Sequence, residues 1–173
     1  MKIIIGFSRS KSPWKLGSKA IQISEKRNFG HAYIKLQCPI SDKPLIAQAS
    51  HGSVNMMALP IFLDNNIIVK EYEIECGIAE FKDLMTFICD NLGVPYSQMQ
   101  ILEIAIKKVL HFEIKSYNKD KYFICSEFAA RACQIIKVDI PDTNLDYFTP
   151  SNLEFILSIA VFNKNERVSL TFG

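Results

Sequence analysis

The chain has 173 residues, of which 49% are hydrophobic and 22% charged. That suits one domain with a real core and argues against disorder. A formal net charge of +2 is too small to argue for a nucleic-acid partner, and no apolar run nears the ~18 residues of a membrane span.

Lys2 to Phe7 is rich in β-branched residues and reads as a strand. The apolar run at this end is too short for a signal peptide and lacks a small-residue cleavage site, so a cytoplasmic location is expected. Ser8 to Ser18 has loop chemistry, and Ser18 to Ile23 could hold a short helix before Asn28-Phe29-Gly30 breaks the pattern. His31 to Leu36 and Leu45 to Ser50 read as two strands of a hairpin, joined by a turn region at Cys38 to Pro44. Val54 to Leu59 suggests a further short strand. Ile67 to Glu75 alternates apolar and charged residues, as a half-exposed strand does.

Two helices follow. Ala79 to Leu92 places Phe81, Leu84, Met85, Ile88 and Leu92 on one face, with Gly93 as its stop. Ser97 to Leu110 begins after Pro95, with Ser97 as N-cap. Beyond a polar loop at Ser116 to Lys121, the alanine-rich run from Cys125 to Ile136 predicts a buried helix. Thr149-Pro150 caps another. Ile159 to Phe162 and Val168 to Phe172 read as closing strands around a turn at Asn163 to Glu166. The sum is a single α+β domain over 1–173: an antiparallel sheet with helices packed mainly on one side.

The five cysteines are Cys38, Cys76, Cys89, Cys125 and Cys133. Their number is odd and no C-x-x-C pair occurs, so neither a zinc site nor a redox dithiol is expected. Each is by default a small buried apolar residue. Cys125 differs because its helix begins there. Unpaired N–H groups and the dipole of a first turn favour thiolate, the form that attacks a carbonyl carbon. A thiolate needs a proton shuttle, which imidazole supplies best near neutral pH. Of His31, His51 and His111, His31 opens a strand after Gly30 and can face a cleft. Gln48, on the next strand of the hairpin, could orient its ring. From the residues alone this trio is one of several possible sets.

Five stretches, in order, carry a resemblance to a known family. They are Gly30-His31-Ala32-Tyr33-Ile34, Leu45-Ile46-Ala47-Gln48-Ala49, Leu92-Gly93-Val94-Pro95-Tyr96, Lys121 to Ala132 with its Cys125-Ser126-Glu127 signature, and Thr149 to Leu153. Together they resemble the circularly permuted branch of the NlpC-type papain-like superfamily. That branch includes the YiiX-like predicted hydrolases and, more distantly, the lecithin:retinol acyltransferase group. Its members carry the histidine strand first and the cysteine helix late. The chain departs from the pattern at Gly6-Phe7, where the family has Gly-Asp, and at Gln48, where many relatives have Glu.

The resemblance implies a cysteine hydrolase with Cys125 as nucleophile, His31 as general base and Gln48 as orienting group. His51 is the rival for the third place. Trp14, Tyr33, His51 and Ser126 are expected to line the substrate site, with Ser126 at the helix start. Glu127 is expected to form a structural pair. The expected substrate is a peptide-like amide, an ester or a thioester, with no metal and no organic cofactor. Acyl transfer to another acceptor is the first alternative. A catalytically weak or inactive binding or inhibitory protein, such as a virus could use, is the second. No nucleic-acid partner is expected.

Overall fold

A computed structural model describes residues 1–12, 27–37, 43–50, 52–97, 122–141, 145, 148–163 and 168–171. Its elements, in chain order, are β1 (Lys2–Ser10), β2 (His31–Gln37), β3 (Pro44–Ser50), β4 (Ser53–Ala58), α1 (Leu59–Asn65), β5 (Asn66–Glu75), α2 (Ile78–Asp90), α3 (Cys125–Ile135), α4 (Pro150–Phe162) and β6 (Val168–Thr171). The strands form one sheet in the order β4-β3-β2-β1-β5-β6, antiparallel at every pairing. The α+β expectation holds.

Alternation along the strands sorts the side chains between two faces. Ile3, Ile5 and Phe7, then Ala32, Ile34 and Leu36, then Ala47 and Ala49, turn toward α2, α3 and α4. There they form the main core with Leu84, Ile88, Phe128, Ala129, Ala132, Leu153 and Leu157. Alanines of α3, β2 and β3 share this core. With no bulk on either side, the helix can lie close to the sheet. Phe128 locks the other flank of α3 by stacking on Phe87, with ring centroids 5.2 Å apart.

The opposite face is covered by α1. Phe62 packs on Tyr33 and Ile46, and its ring lies 4.7 Å from that of Tyr33. This helix is absent from the sequence reading, because seven residues give too little periodicity to register. Pro60 suits its first turn. The run Ile159 to Phe162, read as a strand, is instead the last turn of α4. That helix is apolar on nearly every side, so the polar face that would betray helical period is missing. Its start follows expectation: Thr149 accepts from Asn152 N–H as N-cap.

A buried carboxylate ties α4 to the sheet. Glu154 accepts from Lys70 Nζ at 2.5 Å and from the Tyr72 hydroxyl at 2.7 Å, and Arg27 lies at 3.8 Å. Burial by itself would raise the Glu154 pKa. The Lys70 and Tyr72 hydrogen bonds and the two cations outweigh it and hold the carboxyl below its ordinary value. A carboxyl depressed on folding contributes stability above its unfolded pKa and loses it as pH falls through the folded value. Glu154→Gln is therefore expected to lower stability at pH 7 by about 2 kcal/mol, given that Lys70 is partly solvated. It should also flatten the acid limb below the ordinary carboxylate range. Urea melts of both proteins at several pH values check this; parallel pH curves would count against it.

The expected elements at Ser18 to Ile23 and Ser97 to Leu110 fall outside the described residues, apart from Ser97. Among the described residues no helix is long and apolar enough to cross a membrane.

Candidate active site

Three segments converge at the first residues of β2. The first is α3, which begins at Cys125 after the extended Ile124. The close alanine packing brings the Cys125 sulfur to the strand, where it accepts a hydrogen bond from the backbone N–H of Ala32. That N–H belongs to the peptide joining His31 to Ala32. β3 pairs with β2 only from Ile34 onward, so this peptide lies beyond the last β2–β3 bridge. The backbone N–H groups of Ser126 and of Cys125 itself also point to the sulfur.

The second segment is the Gly-Val-Pro-Tyr stretch. Val54 N–H donates to Val94 O at 2.8 Å, and Tyr96 N–H donates to Gly52 O at 2.9 Å. On its other side Phe123 N–H donates to Pro95 O and Ser97 N–H to Phe123 O. Laced between β4 and the approach to α3, this stretch delivers the Tyr96 hydroxyl to the Cys125 sulfur as a hydrogen-bond donor. Tyr96 was not singled out from the sequence. The Pro-Tyr pair beside a glycine was the available signal, but only the fold shows that the phenol meets the thiol.

The third is the β2–β3 pair. His31 Nε2 and Gln48 Oε1 lie 2.6 Å apart, and both residues are buried. A carboxamide oxygen only accepts, so Nε2 carries a proton, and in a neutral ring the lone pair is then on Nδ1. The imidazole projects from the α1 face, 6.5 Å from the Phe62 ring. The thiol, in contrast, reaches β2 from the α3 side at the adjoining peptide.

Burial opposes the stabilisation of a thiolate by the first turn of α3. Cys125 is 1% exposed. Burial pushes its thiol above the ordinary value, although the Ala32, Ser126 and Cys125 amides and the Tyr96 hydroxyl all pull downward. Desolvation wins, so the resting group is a neutral thiol. Cys133, wholly buried without such donors, is also raised, by desolvation alone. Cys89 is exposed.

Two residues expected to line the substrate site have other work. Tyr33 is fully buried, and its hydroxyl donates to Glu71 Oε1 at 2.6 Å while Lys35 holds the other carboxylate oxygen. It is a packing residue between β1, β5 and α1. The Ser126 hydroxyl donates to the Phe148 carbonyl and clasps α3 to the segment before α4. What Ser126 offers the sulfur is its backbone N–H. Glu127 forms the structural pair, with Arg131 Nη2 at 2.9 Å. Trp14, His51, His111 and Cys38 lie outside the described residues. Ser8, directly across β1–β2 from His31, is fully buried, and its hydroxyl has no partner among the described residues. The sequence held no sign of it beyond a serine at a strand end.

No family model matches the chain, and no curated protein matches its sequence. Solved structures do match. A crystal structure of the metalloprotein YiiX from Escherichia coli O157:H7 aligns with a TM-score of 0.54 at 16% identity, over 98% of this chain and 94% of that one. The chain shares the fold of YiiX. The equivalence spans both chains almost end to end, so it includes the sheet and the late helix alike. YiiX is described as a metalloprotein. Among the described residues of this chain, no three of His, Cys, Asp or Glu gather as ligands for a metal ion. The thiol, phenol, imidazole and carboxamide at the site do not make such a set.

Proposed function

We propose that this protein is a cysteine hydrolase of circularly permuted papain-like type, acting on an amide, ester or thioester through an acyl-enzyme on Cys125. The observation that carries this reading is the hydrogen bond from the peptide between His31 and Ala32 to the Cys125 sulfur. It sets a nucleophile at a helix start one peptide away from the residue best suited to take its proton. The YiiX-like fold supports it, with an early histidine strand and a late cysteine helix.

In this mechanism the two groups meet around the start of β2, where no β3 bridge intervenes, and Nδ1 of His31 takes the thiol proton as sulfur attacks the carbonyl carbon. The Gln48 oxygen stabilises the imidazolium through Nε2–H and keeps the ring aligned. The Cys125 and Ser126 N–H groups and the Tyr96 hydroxyl are placed to receive the oxyanion. Each good donor is worth on the order of 3 kcal/mol. The imidazolium then returns its proton to the leaving group, and water releases the acyl group from sulfur. Because the resting thiol is neutral, proton transfer accompanies attack rather than preceding it.

The burial of the sulfur favours a second reading: a binding protein that keeps the fold without turnover. Acyl trapping separates the two. Incubation with an activated thioester, followed by peptide mapping, is expected to place the acyl mass on Cys125 despite its burial. An adduct on exposed Cys89 alone would favour the binding protein. Simple alkylation should behave differently. With its pKa raised, Cys125 is expected to react slowly with iodoacetamide at pH 7, its rate rising about tenfold per pH unit as the thiolate fraction grows.

A further inference from the structure

We infer that Asn55 is a positioning residue, which sets the tautomer of His31 by fixing which end of the Gln48 carboxamide faces the ring. Its catalytic consequence rests on the hydrolase reading above. The placement itself rests on hydrogen bonds alone.

Asn55 stands directly across the β3–β4 ladder from Gln48. Its Nδ2 donates to two backbone carbonyls, Ser50 O at 3.2 Å and Ser53 O at 3.0 Å. Carbonyls only accept, so the amide end of Asn55 must point toward them. They are the two ends of the tight turn at Gly52, where Ser50 pairs with Ser53. Oδ1 is thereby turned toward Gln48. An oxygen there only accepts, so Gln48 presents Nε2, which donates to Asn55 Oδ1 at 3.3 Å and also reaches Met57 Sδ at 3.8 Å. The remaining end, Oε1, faces His31 Nε2 at 2.6 Å. Each step admits one orientation. The turn carbonyls orient Asn55, Asn55 orients Gln48, and Gln48 places the proton on Nε2 and the lone pair on Nδ1.

A carboxamide alone could not do this. Its two ends have nearly the same shape, and a flipped Gln48 would present N–H donors to His31 Nε2. That would require the lone pair on Nε2 and move the proton to Nδ1, removing the base nitrogen. A glutamate needs no such guidance, since both its oxygens accept. With glutamine in the orienting place, the orientation has to be imposed by a neighbour. Asn55 also clamps the hairpin turn, and a purely structural role would end there.

The test uses the full chain, labelled with 15N, and reads the His31 ring tautomer by long-range 1H–15N correlation. His51 and His111 signals are assigned by substitution. Wild type is expected to show Nε2–H. Asn55→Leu removes the acceptor and the clamp together, and should shift His31 toward Nδ1–H. Asn55→Asp removes the clamp but keeps an acceptor for Gln48, and should retain Nε2–H. In a Gln48→Glu background, Asn55→Leu should leave the tautomer unchanged. Asn55→Val gives the same reading should the leucine variant not fold. Turnover, where found, should fall about 10- to 100-fold in Asn55→Leu and be rescued by Gln48→Glu. An Nε2–H tautomer in both the leucine and valine variants would overturn the inference, as would equal shifts in the aspartate and leucine variants. The expected tautomers with no turnover in any protein would leave Asn55 in its role and remove the hydrolase.

Discussion

Cys125→Ala and His31→Ala are each expected to lower kcat by about 10⁴-fold, and the double variant should be no worse than either. In the proposed mechanism sulfur and imidazole act as one unit. Without the thiol there is no acyl-enzyme, and the ring has nothing to deprotonate. Without the ring, a thiol that burial keeps neutral has no proton acceptor at neutral pH. The backbone donors at the start of α3 persist in all three variants, so a small residual rate should be common to them. The measurement is a panel of peptide, ester and thioester substrates offered to wild type and the three variants, with products identified by mass. A product profile for Cys125→Ala identical to wild type would remove the enzyme reading. Additive losses would show that the two residues act separately.

The largest stability effect is expected on the strand beside the site. Gly6 lies opposite Tyr33 across β1–β2, and a Cβ at Gly6 would meet the Tyr33 ring at its hydroxyl end. The ring cannot easily move aside. Glu71 holds its hydroxyl at 2.6 Å, and Phe62 packs against it from α1. Gly6→Ala should therefore cost about 3 kcal/mol, at the high end for overpacking, because the site is buried and pinned. The coupling gives the control. In a Tyr33→Leu background the same substitution should cost under about 1 kcal/mol, since the atoms it would strike are gone. Chemical denaturation of the four proteins reads both values. A Gly6→Ala penalty independent of Tyr33 would show that strand geometry, not the ring, demands glycine.

Much of this fold was legible in the residues. Alternation from Ile67 to Glu75 and the β-branched run after Lys2 identify strands because a pleat puts successive side chains on opposite faces. The helix at Ala79 to Leu92 and the Cys125 helix were readable from spacing and small residues, to within two residues at each end. The failures share a cause. Helix α1 exists because Phe62 finds Tyr33 and Ile46 beneath it, and seven residues carry no period of their own. The end of α4 was misread because Ile159 to Phe162 is apolar throughout. Propensity then favours a strand, and only packing says otherwise.

By itself the sequence determined which residues could do chemistry: one cysteine opening a helix, one histidine opening a strand, one amide on the neighbouring strand. It could not weigh desolvation against the helix start, because burial depends on what lies across the sheet. The tertiary structure decided that the thiol rests neutral, that Tyr96 reaches it, and that Tyr33 and Ser126 are committed to packing and clasping. It also decided that Asn55 stands opposite Gln48. Local pattern records what a segment prefers. The protonation and orientation of a buried side chain are set by neighbours distant in the chain, and only the folded arrangement supplies them.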